Sequence, residues 1–170
     1  MKNLIIMASL LSFFTAKAQN KQLEVGDTVP MFTLQNQDGK EFSMKDSVGK
    51  KIIVIFFYPK DESAVCTKEA CAFRDSSHDF TDAGALVIGV NQGSVESHKK
   101  FQTDYKLPYQ LLSDPEEMVI KAFGVKGSML NDRVTFVVDK TGQIVFKYNS
   151  LTQGVKHTTE VLKFLREMHK

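Results

Sequence analysis

Cys66 and Cys71 are the only thiols in a chain of 170 residues, and both fall in one segment, Phe56 to Asp75. The apolar run Ile52 to Tyr58 precedes them and Pro59 ends it. β-Branched and aromatic residues in so short a run read as a buried strand. Beyond Cys66 the period changes: Cys66, Ala70, Phe73, Ser77 and Phe80 recur at helical spacing and predict one inward stripe. Cys66 is therefore expected where a strand-to-helix loop becomes the first turn of a helix. Free backbone N–H groups and a partial positive charge at that end favour a thiolate over a thiol, and the thiolate is the nucleophilic form. Ser63 lies three residues earlier, within reach of the sulfur or of a substrate oxygen. Pro59 restricts the loop and shields one side of it. These residues suit attack on an electrophile.

Cys71 suggests a second chemical step after that attack. In a regular helix, residues five apart have Cα atoms roughly 8.7 Å apart, from the rise and radius of the helix. A disulfide usually needs less than about 7 Å. Either the segment is not regular helix, or part of it unwinds before the sulfurs join. An oxidised cysteine captured by a second thiol after local unwinding describes a redox catalyst with a resolving partner. The competing reading is a permanent structural disulfide, which this spacing disfavours.

Pro59, Ser63 and Cys66 match, in register, the pattern P-x-x-x-(T/S)-x-x-C, and Thr67, Glu69, Ala70 and Cys71 come directly after. The stretch resembles the active site of peroxiredoxins, in particular the bacterioferritin-comigratory-protein (PrxQ) branch with its C-x4-C pair on one helix. The resemblance extends further. Gly26 to Leu34 looks like the family's opening hairpin, Leu111 to Pro115 with Ala122 to Val125 like its later segment, and Arg133 to Asp139 like the strand bearing its arginine. Together these cover nearly all of the chain from about Leu23 onward.

The resemblance implies an α/β thioredoxin-like fold: a central mixed β-sheet flanked by helices, with an N-terminal β-hairpin extension. It also implies a thiol-specific peroxidase acting on hydrogen peroxide and organic hydroperoxides. Cys66 would be the peroxidatic residue and Cys71 the resolving one, joined in an intramolecular disulfide that a thioredoxin-like reductant opens. Pro59 would shield the pocket, Ser63 orient the peroxide and Arg133 stabilise developing charge. No metal or organic cofactor is implied, and the branch suggests a monomer. One departure stands out. The family usually has Thr-Pro-Gly-Cys or Thr-Pro-Val-Cys where this chain has Ser63-Ala64-Val65-Cys66. Serine keeps the hydroxyl, but Ala64 lacks a proline's fixed φ, so the loop is expected to be less pre-organised.

Other residues are weighed against this reading. Arg133 opens a strongly apolar strand. Position alone favours an ordinary strand-end arginine paired with a surface carboxylate, and the resemblance reverses that. Arg74 is expected to be structural, holding the helix through a salt bridge. His78, His98, His157 and His169 show no metal-ligand spacing and are all expected at the surface. A Cys–His hydrolase would need one of them beside Cys66, and nothing favours that. An exported thiol–disulfide oxidoreductase would usually carry C-x-x-C, where this chain has Cys66-Thr67-Lys68-Glu69. A non-catalytic thioredoxin-like domain with a structural disulfide is the remaining alternative.

The N-terminus differs from the rest. Lys2, an apolar stretch from Leu4 to Phe14, and Ala16-Lys17-Ala18 form a secretory signal pattern, with cleavage expected between Ala18 and Gln19. The apolar stretch is too short for an ordinary spanning helix. Residues 1–18 are thus expected to be a signal peptide and 19–170 a single domain, exported, with the bacterial periplasm as the destination. Reduction there would need a thioredoxin-like partner supplied with electrons across the membrane. Loss of Lys2 and Lys17 lowers the basic count from 22 to 20, equal to the 20 acidic residues. No basic patch supports nucleic-acid binding.

In chain order, the patterns predict strands at Met31–Leu34 and Glu41–Met44 around Gln37-Asp38-Gly39-Lys40, whose Asp-Gly pair is a hairpin signal. They predict strands at Lys51–Tyr58, Ala85–Val90, Tyr109–Leu112, Arg133–Val138 and Gln143–Tyr148. Helices are expected at Thr67–Thr81, from Ser94 as cap to about Asp104, from Asp114-Pro115 to Phe123, and at Val155–Met168 with Val161, Leu165 and Leu162 facing in. Alternating strands and helices with a late hairpin predict a mixed sheet covered on both faces.

Overall fold

The computed structural model describes residues 21–127 and 129–168; the expected signal segment and His169 lie outside them. Seven strands form one sheet: β1 (Thr33–Asn36), β2 (Glu41–Ser43), β3 (Ile52–Phe57), β4 (Ala85–Asn91), β5 (Gln110–Ser113), β6 (Val134–Val138) and β7 (Ile144–Asn149). Their order across the sheet is β2-β1-β5-β4-β3-β6-β7. The three central strands β3, β4 and β5 run parallel, and the flanking pairs are antiparallel. This is the expected mixed sheet with an N-terminal hairpin.

All six residues of β3 are buried, because neighbours on both sides and helices on both faces leave it no contact with water. Its side chains alternate between two cores. Ile53, Ile55 and Phe57 join Met44 of α1 (Met44–Ser47) and Val119 and Ile120 of α5 (Met118–Ala122) on one face. Ile52, Val54 and Phe56 join the other face. There they meet α2 (Ala64–Asp75), α3 (Ser77–Asp82), α4 (Val95–Tyr105) and α6 (Gly154–Met168) through Cys66, Phe73, Phe80, Phe101, Val161 and Leu165. Fully burying a side chain of this kind contributes roughly 1.5–3 kcal/mol.

Three expectations need correction. The single helix predicted over Thr67–Thr81 begins earlier, at Ala64, and breaks at Ser76 (φ −98°, ψ 10°), so α2 and α3 are separate. The inward stripe survives the break, with Phe73 and Phe80 both buried. The helix expected from Asp114-Pro115 starts only at Met118. Glu117 takes a left-handed conformation (φ 55°), and the Asp114 carboxylate instead accepts from the N–H groups of Met118 and Ile120 at 3.0 and 2.8 Å. Finally, His98 and His157 are fully buried rather than at the surface. Ser94 does cap α4, accepting from Ser97 N at 3.2 Å. Among the described residues no helix is long and apolar enough to cross a membrane.

Candidate active site

The loop Tyr58–Ser63 leaves the carboxyl end of β3 and feeds α2. Ser63 is the N-cap residue by backbone conformation, and its carbonyl accepts from Thr67 N at 2.8 Å. Its hydroxyl makes no capping bond, which leaves it available to another partner. Cys66 falls in the first turn, as expected, where the N–H groups of Ala64, Val65 and Cys66 have no acceptor within the helix. Cys66 is almost fully buried, and Pro59, in the loop before it, is buried as well. Cys71 lies one turn and a half further along the intact α2, partly exposed; both cysteines are free.

The sheet register explains what reaches Cys66. β6 runs antiparallel to β3 and pairs Val134 with Phe57, the last residue of β3. Arg133, one residue before Val134, is thereby carried to the end of β3 where α2 begins. It is buried, with 2% of its surface exposed, and its guanidinium points in three directions. Nη2 donates to Cys66 Sγ at 3.2 Å, Nε donates to the Leu151 carbonyl at 2.9 Å, and Nη1 pairs with the Glu69 carboxylate. The structure therefore brings Pro59, Ser63, Cys66 and Arg133 to one end of the sheet, with Cys71 on the same helix as Cys66. Arg74 has a structural place, paired with Asp75 and donating to the Tyr105 carbonyl at 2.8 Å.

Two further residues were not singled out from sequence. Glu69 is fully buried one turn after Cys66. Burial pushes its carboxyl up to about 8, against the opposing charge and hydrogen bond of Arg133. Its Oε1 has no hydrogen-bond partner and lies 3.7 Å from His157 Nδ1. His157, in the first turn of α6, is pulled down to about 4, first by burial and then by the Arg133 charge, with its bond to Ser150 opposing. Its hydrogen bonds fit the neutral ring: Nε2–H donates to the Ser150 carbonyl at 3.0 Å, and Nδ1 lies 2.8 Å from the Thr135 hydroxyl, which donates to it. A signal for both was present. Glu69 falls on the same helical stripe as Cys66, Ala70 and Phe73, and His157 precedes Val161 and Leu165 by four and eight residues.

A buried cysteine at a helix N-terminus, faced by a buried arginine, sets a nucleophile beside a donor that can stabilise negative charge developing on its reaction partner. On a sheet of this topology that pairing defines a thiol peroxidase of the thioredoxin-like class. The comparisons agree. Residues 25–147 match the model of the AhpC/TSA family. The chain is 46% identical to peroxiredoxin Q, chloroplastic, of Sedum lineare over 146 residues, covering 84% of this chain and 78% of that one. It is 47% identical to the Suaeda salsa protein of the same name, covering 84% and 68%. Among solved structures it resembles peroxidoxin BcpB from Mycobacterium tuberculosis, with a TM-score of 0.82, 32% identity and coverage of 86% and 99%. It also resembles a cysteine-to-serine variant of Xylella fastidiosa PrxQ, with a TM-score of 0.81, 27% identity and coverage of 88% and 99%. The chain belongs to the AhpC/TSA family, in its peroxiredoxin Q branch. It is a thioredoxin-dependent peroxidase, with a hydroperoxide as substrate and a thioredoxin-type protein as reductant.

Proposed function

We propose that Cys66 is the peroxidatic thiol and Cys71 the resolving one. The observation that carries this is the contact between the buried Arg133 guanidinium and Cys66 Sγ at 3.2 Å. The Cys66 thiolate attacks the distal oxygen of the hydroperoxide. An S–O bond forms as the O–O bond breaks, and the departing oxygen takes up a proton to leave as water or an alcohol. Arg133 stabilises the charge on the oxygens as the bond breaks, Ser63 orients the peroxide through its uncommitted hydroxyl, and Pro59 screens the pocket. Cys71 then attacks the sulfenic sulfur, forming the Cys66–Cys71 disulfide and releasing water. A dithiol reductant returns both thiols. The same open chemistry admits hydrogen peroxide and organic hydroperoxides.

The test is peroxide consumption coupled to a thioredoxin system. Cys66→Ser is expected to abolish turnover. Cys71→Ser is expected to react once and then stall or overoxidise. Full activity in Cys66→Ser would overturn the assignment, and steady turnover in Cys71→Ser with thioredoxin alone would remove Cys71 as the resolving residue.

We also propose that residues 19–170 form a single thioredoxin-like domain that acts as a monomer; sedimentation equilibrium showing a stable dimer would contradict this. Export rests on the pattern in residues 1–18. The names of the plant relatives place those proteins in chloroplasts and lend no support to a bacterial periplasm. N-terminal sequencing of the mature protein decides the matter: a start at Gln19 supports cleavage, and a start at Met1 opposes it.

A further inference from the structure

The loop that carries Pro59 and Ser63 holds a second buried carboxylate, which the peroxide chemistry does not use. Asp61 is 7% exposed and accepts from Tyr58 Oη at 2.8 Å, Asn91 Nδ2 at 2.9 Å, Ser97 Oγ at 2.6 Å and His98 Nδ1 at 2.8 Å. The donors come from the loop itself, the end of β4 and the first turn of α4. The fully buried His98 turns its other nitrogen, Nε2, to the Leu112 carbonyl at 3.2 Å. Both ring nitrogens thus face oxygens of neighbouring elements, which fixes the plane of the ring between the loop and β5. A buried carboxylate is tolerated when it is paired and hydrogen-bonded in this way. Burial would raise the Asp61 carboxyl, but the His98 bond and charge, with Ser97 and Tyr58, hold it below its ordinary range.

Three observations show that this cluster shapes the loop. Glu62 has φ 58°, a left-handed conformation that a residue with a Cβ keeps only where its surroundings over-determine it. Lys100 of α4 pairs with Glu62 on the outer side. Gly93 closes over the cluster, and a Cβ there would lie 2.8 Å from Asn91 Oδ1, 2.9 Å from His98 Cε1 and 3.1 Å from Asp61 Oδ2. No proline stands between Pro59 and Cys66 to fix the backbone from within.

We propose that Asp61 is a positioning residue of the peroxidase reaction: with His98, Ser97, Tyr58 and Asn91 it latches the Pro59–Ser63 loop to β4 and α4 in its peroxide-binding shape. Asp61 does not touch the reacting atoms. The inference rests on the roles proposed above for Pro59 and Ser63. Its consequence is a split between steps. Peroxide attack needs the loop in shape. Disulfide formation needs only the first turn of α2 to release Cys66 towards Cys71.

Rapid-mixing kinetics with hydrogen peroxide separates the two. In Asp61→Asn, an amide N–H faces donors where the carboxylate accepted from them. The second-order rate of Cys66 oxidation is expected to fall roughly tenfold to a hundredfold, while the first-order rate of disulfide formation stays within about threefold. Ser97→Ala removes one donor of four and is expected to show the same split, smaller in size; it carries the comparison if Asp61→Asn fails to fold. Oxidation of both variants at the wild-type rate overturns the latch alone, and so does equal slowing of both steps, the mark of general destabilisation. A wild-type protein whose Cys66 does not react with peroxide removes the underlying reading and the latch with it.

Discussion

Arg133 divides one guanidinium among a thiol, a carboxylate and a main-chain carbonyl. A planar fork does this and an ammonium cannot, so lysine is not a conservative replacement. Arg133→Lys is expected to lower kcat/KM for peroxide by roughly 10²–10³, the usual consequence of removing a charge-stabilising donor. A loss below about threefold, with the fold intact by circular dichroism, would contradict the role. Glu69 and His157, beside it, give stability a pH dependence with two arms. The Glu69 carboxyl is raised to about 8, so its stabilising contribution is fully present below its unfolded value of about 4.3 and is lost as pH rises through about 8. His157 is lowered to about 4, so its contribution is present above its unfolded value of about 6.5 and is lost as pH falls through about 4. The acid arm amounts to roughly 3 kcal/mol. Urea unfolding at a series of pH values should show His157→Asn flattening the acid arm and Glu69→Gln flattening the alkaline one. Curves parallel to the wild type would show that neither residue is the source.

At the scale of elements, α2 is held differently at its two ends. Tyr109 Oη donates to the Ala70 carbonyl at 2.7 Å, and Arg74 ties the C-terminal half to the Tyr105 carbonyl. The first turn is held by the Arg133 contact and by α6, whose Gly154 lies directly against it. A Cβ at Gly154 would stand 2.9 Å from the Val65 carbonyl oxygen and 3.0 Å from Glu69 Cβ. Gly154→Ala should therefore displace the Cys66 turn, costing about 1–3 kcal/mol of stability, as overpacking generally does, and slowing peroxide reduction with it. Unchanged melting and unchanged rate would show that the contact is soft.

Much of this was legible in the sequence. Cys66 in a first turn follows from the change of period after Pro59, and β3 from its apolar run. The contact between Cys66 and Arg133 was not derivable from periodicity, because it depends on the antiparallel pairing of Phe57 with Val134; only the family resemblance indicated it. Glu69, His98 and His157 were missed for one physical reason. A charged or titratable residue on a predicted helix is assigned to solvent by default, and these three lie on the buried stripes of α2, α4 and α6 because each has a polar partner waiting inside. The break at Ser76 and the late start of α5 were hidden because local backbone geometry, including the left-handed Glu117, overrides the apolar pattern.

At the scale of the molecule, the sheet turns distant segments into one site. β3 delivers the loop and α2, β6 delivers Arg133 and Thr135, and the β7–α6 connection wraps Ser150 and Leu151 around the arginine and His157. Two separate cores anchor the sheet on both faces, and Cys66 in the first turn of α2 belongs to only one of them. The proposed disulfide requires the first turn of α2 to open, since Cys66 and Cys71 share one regular helix whose spacing, roughly 8.7 Å between Cα atoms, exceeds disulfide reach. The most direct test is the intact mass of the reduced protein before and after one equivalent of hydrogen peroxide, with Cys66→Ser and Cys71→Ser alongside. The account predicts rapid loss of two hydrogens in the wild type, gain of a single trappable oxygen in Cys71→Ser and no change in Cys66→Ser. No mass change in the wild type within minutes, or a Cys66→Ser protein that reacts like the wild type, would contradict it.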